Sequence, residues 1–284
     1  MLVCLSGLRP AVAAVSPLVL SPGESRFPSY AALRHFCTPS DQSPSARALL
    51  SRLNEWPWQP SGPDVPNHGF SQEVCWFHLV VKNEGHTNNH WFLVANYPLI
   101  EELDVHVVAP DGHITASHAT GSNRPFWQRA LPVQAYAFPF ELRDGQTLSF
   151  LLRVHTPSLQ LPLEVIEPDH FAGMVVKSTL LQGVFLGGMV VMILYNLFLY
   201  ASIREPAYLL YVLYSVVITL IQADNHGLLH RFLWPQAGVY ALPWLMPLMV
   251  VLASLFTIHF LALTRRAPFW ARLLQAHVAI AVVL

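Results

Sequence analysis

From about residue 70 the hydrophobic and polar positions alternate with a period of two. In Val74–Lys82, Trp76, His78 and Val80 fall on one face, and Cys75, Phe77, Leu79 and Val81 on the other. Apolar groups on both faces predict a central strand of a two-layer structure. Further short runs follow at His90–Ala95, Leu103–Val108, His113–Ser117, Ala135–Phe140, Thr147–His155 and Leu161–Ile166. Pro110-Asp111-Gly112 and Asp144-Gly145 supply turn chemistry between them. Short strands at such regular spacing predict an all-β sandwich. Ser45–Leu53 predicts one short helix, and the Pro/Ser-rich stretch Pro39–Pro66 is otherwise irregular.

Past Lys177 the alternation gives way to long stretches that are apolar on every side. No charge lies between Lys177 and Arg204, between Glu205 and Asp224, or between Arg231 and Arg265, gaps of 26, 18 and 33 residues. A helix of about 20 apolar residues crosses the hydrocarbon of a bilayer. The gaps predict spans near 179–201, 206–223 and 241–263, with a fourth beginning near Trp270. Buried helices of a water-soluble core are the rival reading, and three such runs in series with short links argue against it. Trp234, Tyr240, Trp244 and Trp270 fall near the span ends, where amphipathic rings prefer to sit. Arg204 and the cluster Arg265, Arg266 and Arg272 share one side of the bilayer, which the positive-inside rule makes the cytoplasm. The first part of the chain then lies outside the cytoplasm.

Composition sharpens this division. Charged residues make up 12% of the 284 positions, about half the share of a soluble globular protein. The charge balance is −5 before Lys177 and +4 from it onward, within a net −1. That balance offers no basic footprint for nucleic acid. Residues 1–20 are read as a signal or leader segment, with Ala11-Val12-Ala13 resembling a small-residue cleavage site. Three cysteines do not make a disulfide scaffold. Cys37 and Cys75 could pair, but a buried, unpaired Cys75 in its strand is the simpler account.

The fourteen histidines raise a metal site. His86 with His90, and His113 with His118, lie in strand or loop context without a zinc motif. They are read as solvated loop histidines, and no metal or cofactor is expected. Glu101, Glu102 and Asp104 form an acidic cluster, but Glu102 and Asp104 would sit side by side on one strand. A glycoside hydrolase needs carboxylates on opposed sides of the sugar, so a solvated edge is the expected role. No Gly-x-Ser-x-Gly, Walker or Cys-x-x-Cys motif occurs. Ligand binding is expected instead at Trp91, Arg124, Trp127 and Arg129, an aromatic and guanidinium set in strand and loop context. Trp76 is expected in the core. In the first span, Gly183 and Gly187 allow close helix approach, and Tyr195 and Asn196 place polar groups in hydrocarbon. Tyr208, Tyr211 and Tyr214 form a stripe on the second span. This set is expected to pack the helices and relay a signal between them.

Several of these residues carry a family resemblance. Asn67-His68-Gly69-Phe70-Ser71, Cys75-Trp76-Phe77, Pro98-Leu99-Ile100, Pro125-Phe126, Phe138-Pro139-Phe140 and Leu161-Pro162-Leu163 resemble the extracellular domain of bacterial seven-transmembrane receptors with diverse intracellular signalling modules. Leu194-Tyr195-Asn196-Leu197-Phe198, Tyr211-Val212-Leu213-Tyr214, Asn225-His226-Gly227 and Trp234-Pro235 resemble the start of that family's seven-helix domain. The resemblance implies a periplasmic jelly-roll sensor, here 38–168, similar to carbohydrate-binding modules. The helical domain at 178–284 then holds three helices and part of a fourth. It further implies relay to a cytoplasmic module such as a histidine kinase or diguanylate cyclase, beyond the sequence given. The expected partners are the lipid bilayer of the bacterial inner membrane, a small extracytoplasmic ligand of carbohydrate class, and a second copy of the chain. The rivals are a membrane-anchored carbohydrate-active hydrolase and a dimerising structural protein.

Overall fold

The computed structural model describes residues 16–236 and 242–283. The chain divides into two units. One holds the residues up to Gly121 together with Gln128–His170; the other holds Ser122–Trp127 and the chain from Phe171 onward.

The first unit is a β-sandwich. Its strands are β1 (Leu18–Leu20), β2 (Arg26–Pro28), β3 (Arg34–Thr38), β4 (Gln59–Pro60), β5 (Asn67–Phe70), β6 (Val74–Asn83), β7 (His90–Ala95), β8 (Glu102–Val108), β9 (Ile114–Thr120), β10 (Tyr136–Glu141), β11 (Thr147–His155), β12 (Ser158–Gln160) and β13 (Leu163–Ile166); the helix α1 spans Ala46–Ser51. The larger sheet runs β4-β3-β6-β11-β8-β9, with β1 added in parallel to β6. The smaller sheet runs β10-β7-β13-β2, and β12 pairs with β5. Phe77, Leu79, Val105, Phe150 and Leu152 from the large sheet meet Trp91, Leu93, Phe138, Phe140 and Val165 from the small one in a single buried cluster. Both sheets therefore place their apolar parity inward, as aligned sandwiches do.

The outer face of the large sheet has a core of its own. Phe36, Val74, Trp76 and Leu151 are buried there beneath Leu49 of α1, with Trp56 and Trp58 packed against them. Ser45 starts α1 by accepting the Ala48 amide on its hydroxyl, a side-chain cap for an orphan donor.

Three expectations need correction. The sandwich begins well before residue 38: β1 and β3 both hydrogen-bond to β6, and β2 to β13. Of the segment read as a leader, residues 1–15 lie outside the described residues and Leu18–Leu20 is a sheet strand. Cys75 is not a free thiol, because β3 sets Cys37 directly opposite it on the inward face and the two form a disulfide. A periplasmic or extracellular compartment is where such a bond persists.

The second unit is helical: α2 (Pro168–Ile203, begun in the first unit), α3 (Pro206–Asn225), α4 (Leu228–Phe232), α5 (Leu242–Phe260), α6 (Leu263–Arg266) and α7 (Pro268–Val283). By length and composition α2, α3 and α5 are apolar enough to cross a membrane. α2 and α3 cover the first two expected spans, α5 ends at Phe260, three residues short of the third, and α7 starts two residues before Trp270. At 36 residues α2 is about 54 Å long, against ~30 Å of hydrocarbon. Its first turns carry Asp169, His170 and Lys177, which suit the polar side. Pro206 in the first turn of α3 has no N–H to leave unpaired. Val217 and Ile221 of α3 pack on Leu252 of α5, with Tyr214 beside them. Of the aromatic residues expected at span ends, Tyr240 lies outside the described residues.

Candidate ligand-binding site

The outer face of the large sheet is unusually polar beyond its small core. Strand register places His78, Leu151, His106 and Ser117 in one row across β6, β11, β8 and β9, and Trp76, Arg153, Asp104 and Ala119 in the next. Arg153 donates to Glu102 at 2.9 Å and to Asp104 at 3.2 Å, with the His155 imidazole 4.0 Å from Glu102. Glu102 and Asp104 of the acidic cluster are thus held by one guanidinium on an interior strand. This corrects the solvated edge, because β9 covers that side of β8.

Beside this cluster lies a groove of about 950 Å³. One wall is α1 and its cap, with Ser45, Arg47, Leu50 and Ser51. The other is the β8–β9 hairpin, with His106, Asp111, His113, Ile114 and Ser117. The His106 Nδ1 is 2.8 Å from the Ser117 hydroxyl, and its ring stacks near Trp76 at 6.4 Å. Trp76 is itself fixed, its indole N–H donating to Ser43. Burial lowers the His106 pKa from its ordinary value, and the nearby Asp104 opposes that only in part. A neutral imidazole with one donor and one acceptor therefore sits among serine hydroxyls, next to the apolar Leu50 and Ile114. Asp111 is the one carboxylate among these lining residues. Such a surface suits a neutral, hydroxyl-rich molecule with apolar faces.

The sequence-predicted binding residues scatter. Trp91 is 1% exposed in the core, edge-on to Phe27 and His86, so no face remains for a ligand. Arg129 is buried and donates to the carbonyls of Val133 and Gln134, with its guanidinium over the Tyr136 ring. These contacts tie the Val133–Gln134 backbone to Tyr136 at the start of β10. Arg124 and Trp127 belong to the helical unit, and only Trp127, at 65% exposure, presents a ring to solvent. In that unit the Phe126 amide donates to Pro235, and the His230 Nε2 donates to the Arg124 carbonyl at 3.0 Å. The Phe126 ring lies edge-on to His230 at 5.6 Å.

The histidine pairs separate as well. His86 is buried, not solvated: its Nε2 donates to the Glu24 carbonyl and lies 3.5 Å from Glu167. His90 is exposed near Glu141. His113 lines the groove, whereas His118 packs on Phe138. Among the described residues no three His, Cys, Asp or Glu side chains gather as a metal site would require.

In the helical unit Asn196, Tyr208 and Tyr211 do come together. With Glu205, Phe256 and His259 they line a cavity of about 440 Å³, and the His259 Nε2 lies 2.9 Å from Glu205. Asn196 donates to the Met192 carbonyl of its own helix, not across to a neighbour. Tyr195 is exposed, and nothing lies within 4 Å of a Cβ built on Gly183 or Gly187.

The family model for 7TMR-DISM extracellular 2 matches residues 39–167, and the model for 7TM diverse intracellular signalling matches residues 178–284. The chain belongs to this receptor family. The 7TMR-DISM chain is therefore a membrane signalling receptor with an extracellular N-terminal domain. No curated protein matches it. Among solved structures it is similar to a protein described as a beta-galactosidase from Bacteroides fragilis, at 12% identity over 50% of this chain and 23% of that one, with a TM-score of 0.29. It is also similar to the insecticidal delta-endotoxin Cry8Ea1 from Bacillus thuringiensis, at 13% over 54% and 25%, TM-score 0.25. A third is CsCBM6-3 from Clostridium stercorarium in complex with cellobiose, at 9% over 46% and 92%, TM-score 0.19. The chain spans about a quarter of the length of the first two. Likenesses this slight carry no argument about ligand or activity.

Proposed function

We propose that this receptor sits in the bacterial inner membrane as a multi-pass, dimeric sensor, and that its sandwich binds a small neutral carbohydrate from the periplasm. The observation that carries the reading is the groove between α1 and the β8–β9 hairpin, where the His106 imidazole and the hydroxyls of Ser45, Ser51 and Ser117, together with Arg47 and Asp111, flank Leu50 and Ile114. It is preferred to the set Trp91, Arg124, Trp127 and Arg129, because Trp91 is buried in the core and the Arg129 guanidinium is taken up by the Val133 and Gln134 carbonyls. The bound state would pass through the helices to a cytoplasmic module of kinase or cyclase type. The sandwich then works by population shift and needs no catalysis of its own: only a difference in affinity between two states moves the output.

The test is calorimetric titration of the full chain in nanodiscs with maltose, sucrose and trehalose. Binding that falls at least tenfold in His106→Ala, and is unchanged in Trp127→Ala, supports the groove. Absence of binding by all three sugars, or equal binding in His106→Ala, overturns it.

A further inference from the structure

At the β3 side of the same sheet face lies a second constellation, apart from the groove. Arg34 of β3 stands directly opposite His78 of β6, and its Nη2 lies 3.3 Å from the His78 Nδ1. A guanidinium offers no acceptor, so Nδ1 accepts and the proton of the neutral imidazole sits on Nε2. That Nε2–H is buried without a partner, and so is the Arg34 Nε–H. His78 is 97% buried by its 3% exposure, while Arg34 and Trp58 are half-buried. The indole of Trp58 lies beside them, 5.8 Å from the guanidinium and 5.6 Å from the His78 ring. Its own N–H is already used on the Leu53 carbonyl, which fixes the ring in place. One ring further, Trp56 stacks on Phe36 and leaves a third buried donor, its Nε1–H, unpaired.

The balance of this cluster is one-sided. It holds a cation and unpaired donors on Arg34 and His78, and no carboxylate pairs with Arg34 among the described residues. Buried donors without acceptors are rare and costly. Burial lowers the Arg34 pKa from its ordinary value, as expected of a charge with no counter-ion. The Arg153 guanidinium on the same face shows the contrast, since it has two carboxylates.

We infer that Arg34, His78 and Trp58 form a carboxylate-binding site. The carboxylate would take two parallel hydrogen bonds from the guanidinium, the geometry that favours Arg over Lys. The His78 Nε2–H would add a neutral donor, and the indole face would cover the body of the ligand. Two sources fit that chemistry, an acidic sugar and a simple organic acid. The inference does not rest on the neutral-sugar groove, and the two sites are separable by variant.

The test is titration of the full chain in nanodiscs at constant ionic strength, read by tryptophan fluorescence and calorimetry. The ligands are sodium glucuronate, sodium acetate and glucose. The inference expects glucuronate or acetate to bind and glucose to leave Trp58 unaltered. Acetate matching glucuronate would assign the site to simple acids; glucuronate alone would assign it to acidic sugars. Arg34→Gln weakens binding at least tenfold, Arg34→Lys keeps a measurable part of it, and Trp58→Phe removes the fluorescence change but not the calorimetric signal. His106→Ala, which empties the groove, leaves carboxylate binding intact. If neither carboxylate binds, or if Arg34→Gln binds as the parent does while retaining its thermal transition, the inference is overturned. A fold-damaged Arg34→Gln is replaced by Arg34→Lys, for which loss of the two-bond geometry alone predicts a clear weakening; unchanged affinity there also overturns it.

Discussion

Replacing both Cys37 and Cys75 by Ala removes a covalent tie between β3 and the centre of the large sheet. The cysteines are 38 residues apart. Loop-closure entropy for a span of that length gives about 4 kcal/mol at 25 °C. Within that loop lie α1, Trp56, Trp58 and β4, which cover the outer face of the sheet. The unfolded chain would gain freedom in the segment that supplies the α1 wall of the groove and the Trp58 beside Arg34. For a domain of this size about 1 kcal/mol corresponds to roughly 2–4 °C, so the sandwich transition should fall by about 8–16 °C. The assay is thermal unfolding of the full chain in nanodiscs, followed by near-ultraviolet circular dichroism and tryptophan emission. The parent with and without dithiothreitol should reproduce the shift. A difference below about 2 °C in both comparisons would refute the reasoning, because it would mean the loop is constrained without the bond.

Two further outcomes follow from the outer face. Arg153→Met strands Glu102 and Asp104 side by side without their shared cation, and should cost about 1–2 kcal/mol at neutral pH after allowance for partial exposure; adding Glu102→Gln and Asp104→Asn should recover most of it in chemical denaturation. His78 is pushed down to about 4, first by burial and then by Arg34, and His35 to about 4 by burial and His68. Both stay neutral when folded but charge near pH 6.5 when unfolded, so stability should be level above pH 7 and fall as pH drops from about 6.5 toward 4. His78→Gln should flatten that slope by up to about 3 kcal/mol, and an unchanged slope in a pH series of unfolding curves would contradict it.

How much of this was legible in the sequence depended on length and parity. Strands of six or more residues announced themselves by alternation, and Thr147–His155 and His90–Ala95 match their predicted bounds. Strands β1 and β2 have three residues each, too few for a period to emerge, and their partners are distant in sequence. Missing β3 also left the Cys37–Cys75 pairing undecided, since its register is what places Cys37 opposite Cys75. Trp91 was misplaced for a different reason. A strand apolar on both faces does not say which side carries the ligand and which the core. The groove left one faint trace: the Pro110-Asp111-Gly112 turn sets the hairpin, and that register brings His106 opposite Ser117. Its other wall comes from α1, about 60 residues earlier in the chain, and no local pattern encodes that approach. The apolar spans were easiest, because freedom from charge over 18 residues or more needs no partner to be recognised.

The strand that lines the groove ends at a position with a strict backbone requirement. Strand β9, which contributes Ile114 and Ser117 to the groove, ends at Thr120. At Gly121 the backbone has a φ of +143° and presses on Glu101 and Glu102 so closely that a Cβ would collide with their main chain. That position admits glycine alone, and it fixes where the strand ends. Six residues later the chain has passed through Phe126, whose amide and ring are held by Pro235 and His230. Moving a two-state receptor from 1:99 to 99:1 takes about 5.5 kcal/mol of differential affinity. A ligand that merely fills the groove contributes nothing to that difference. Under the proposed population shift, only a ligand whose affinity differs between the two states would move the output.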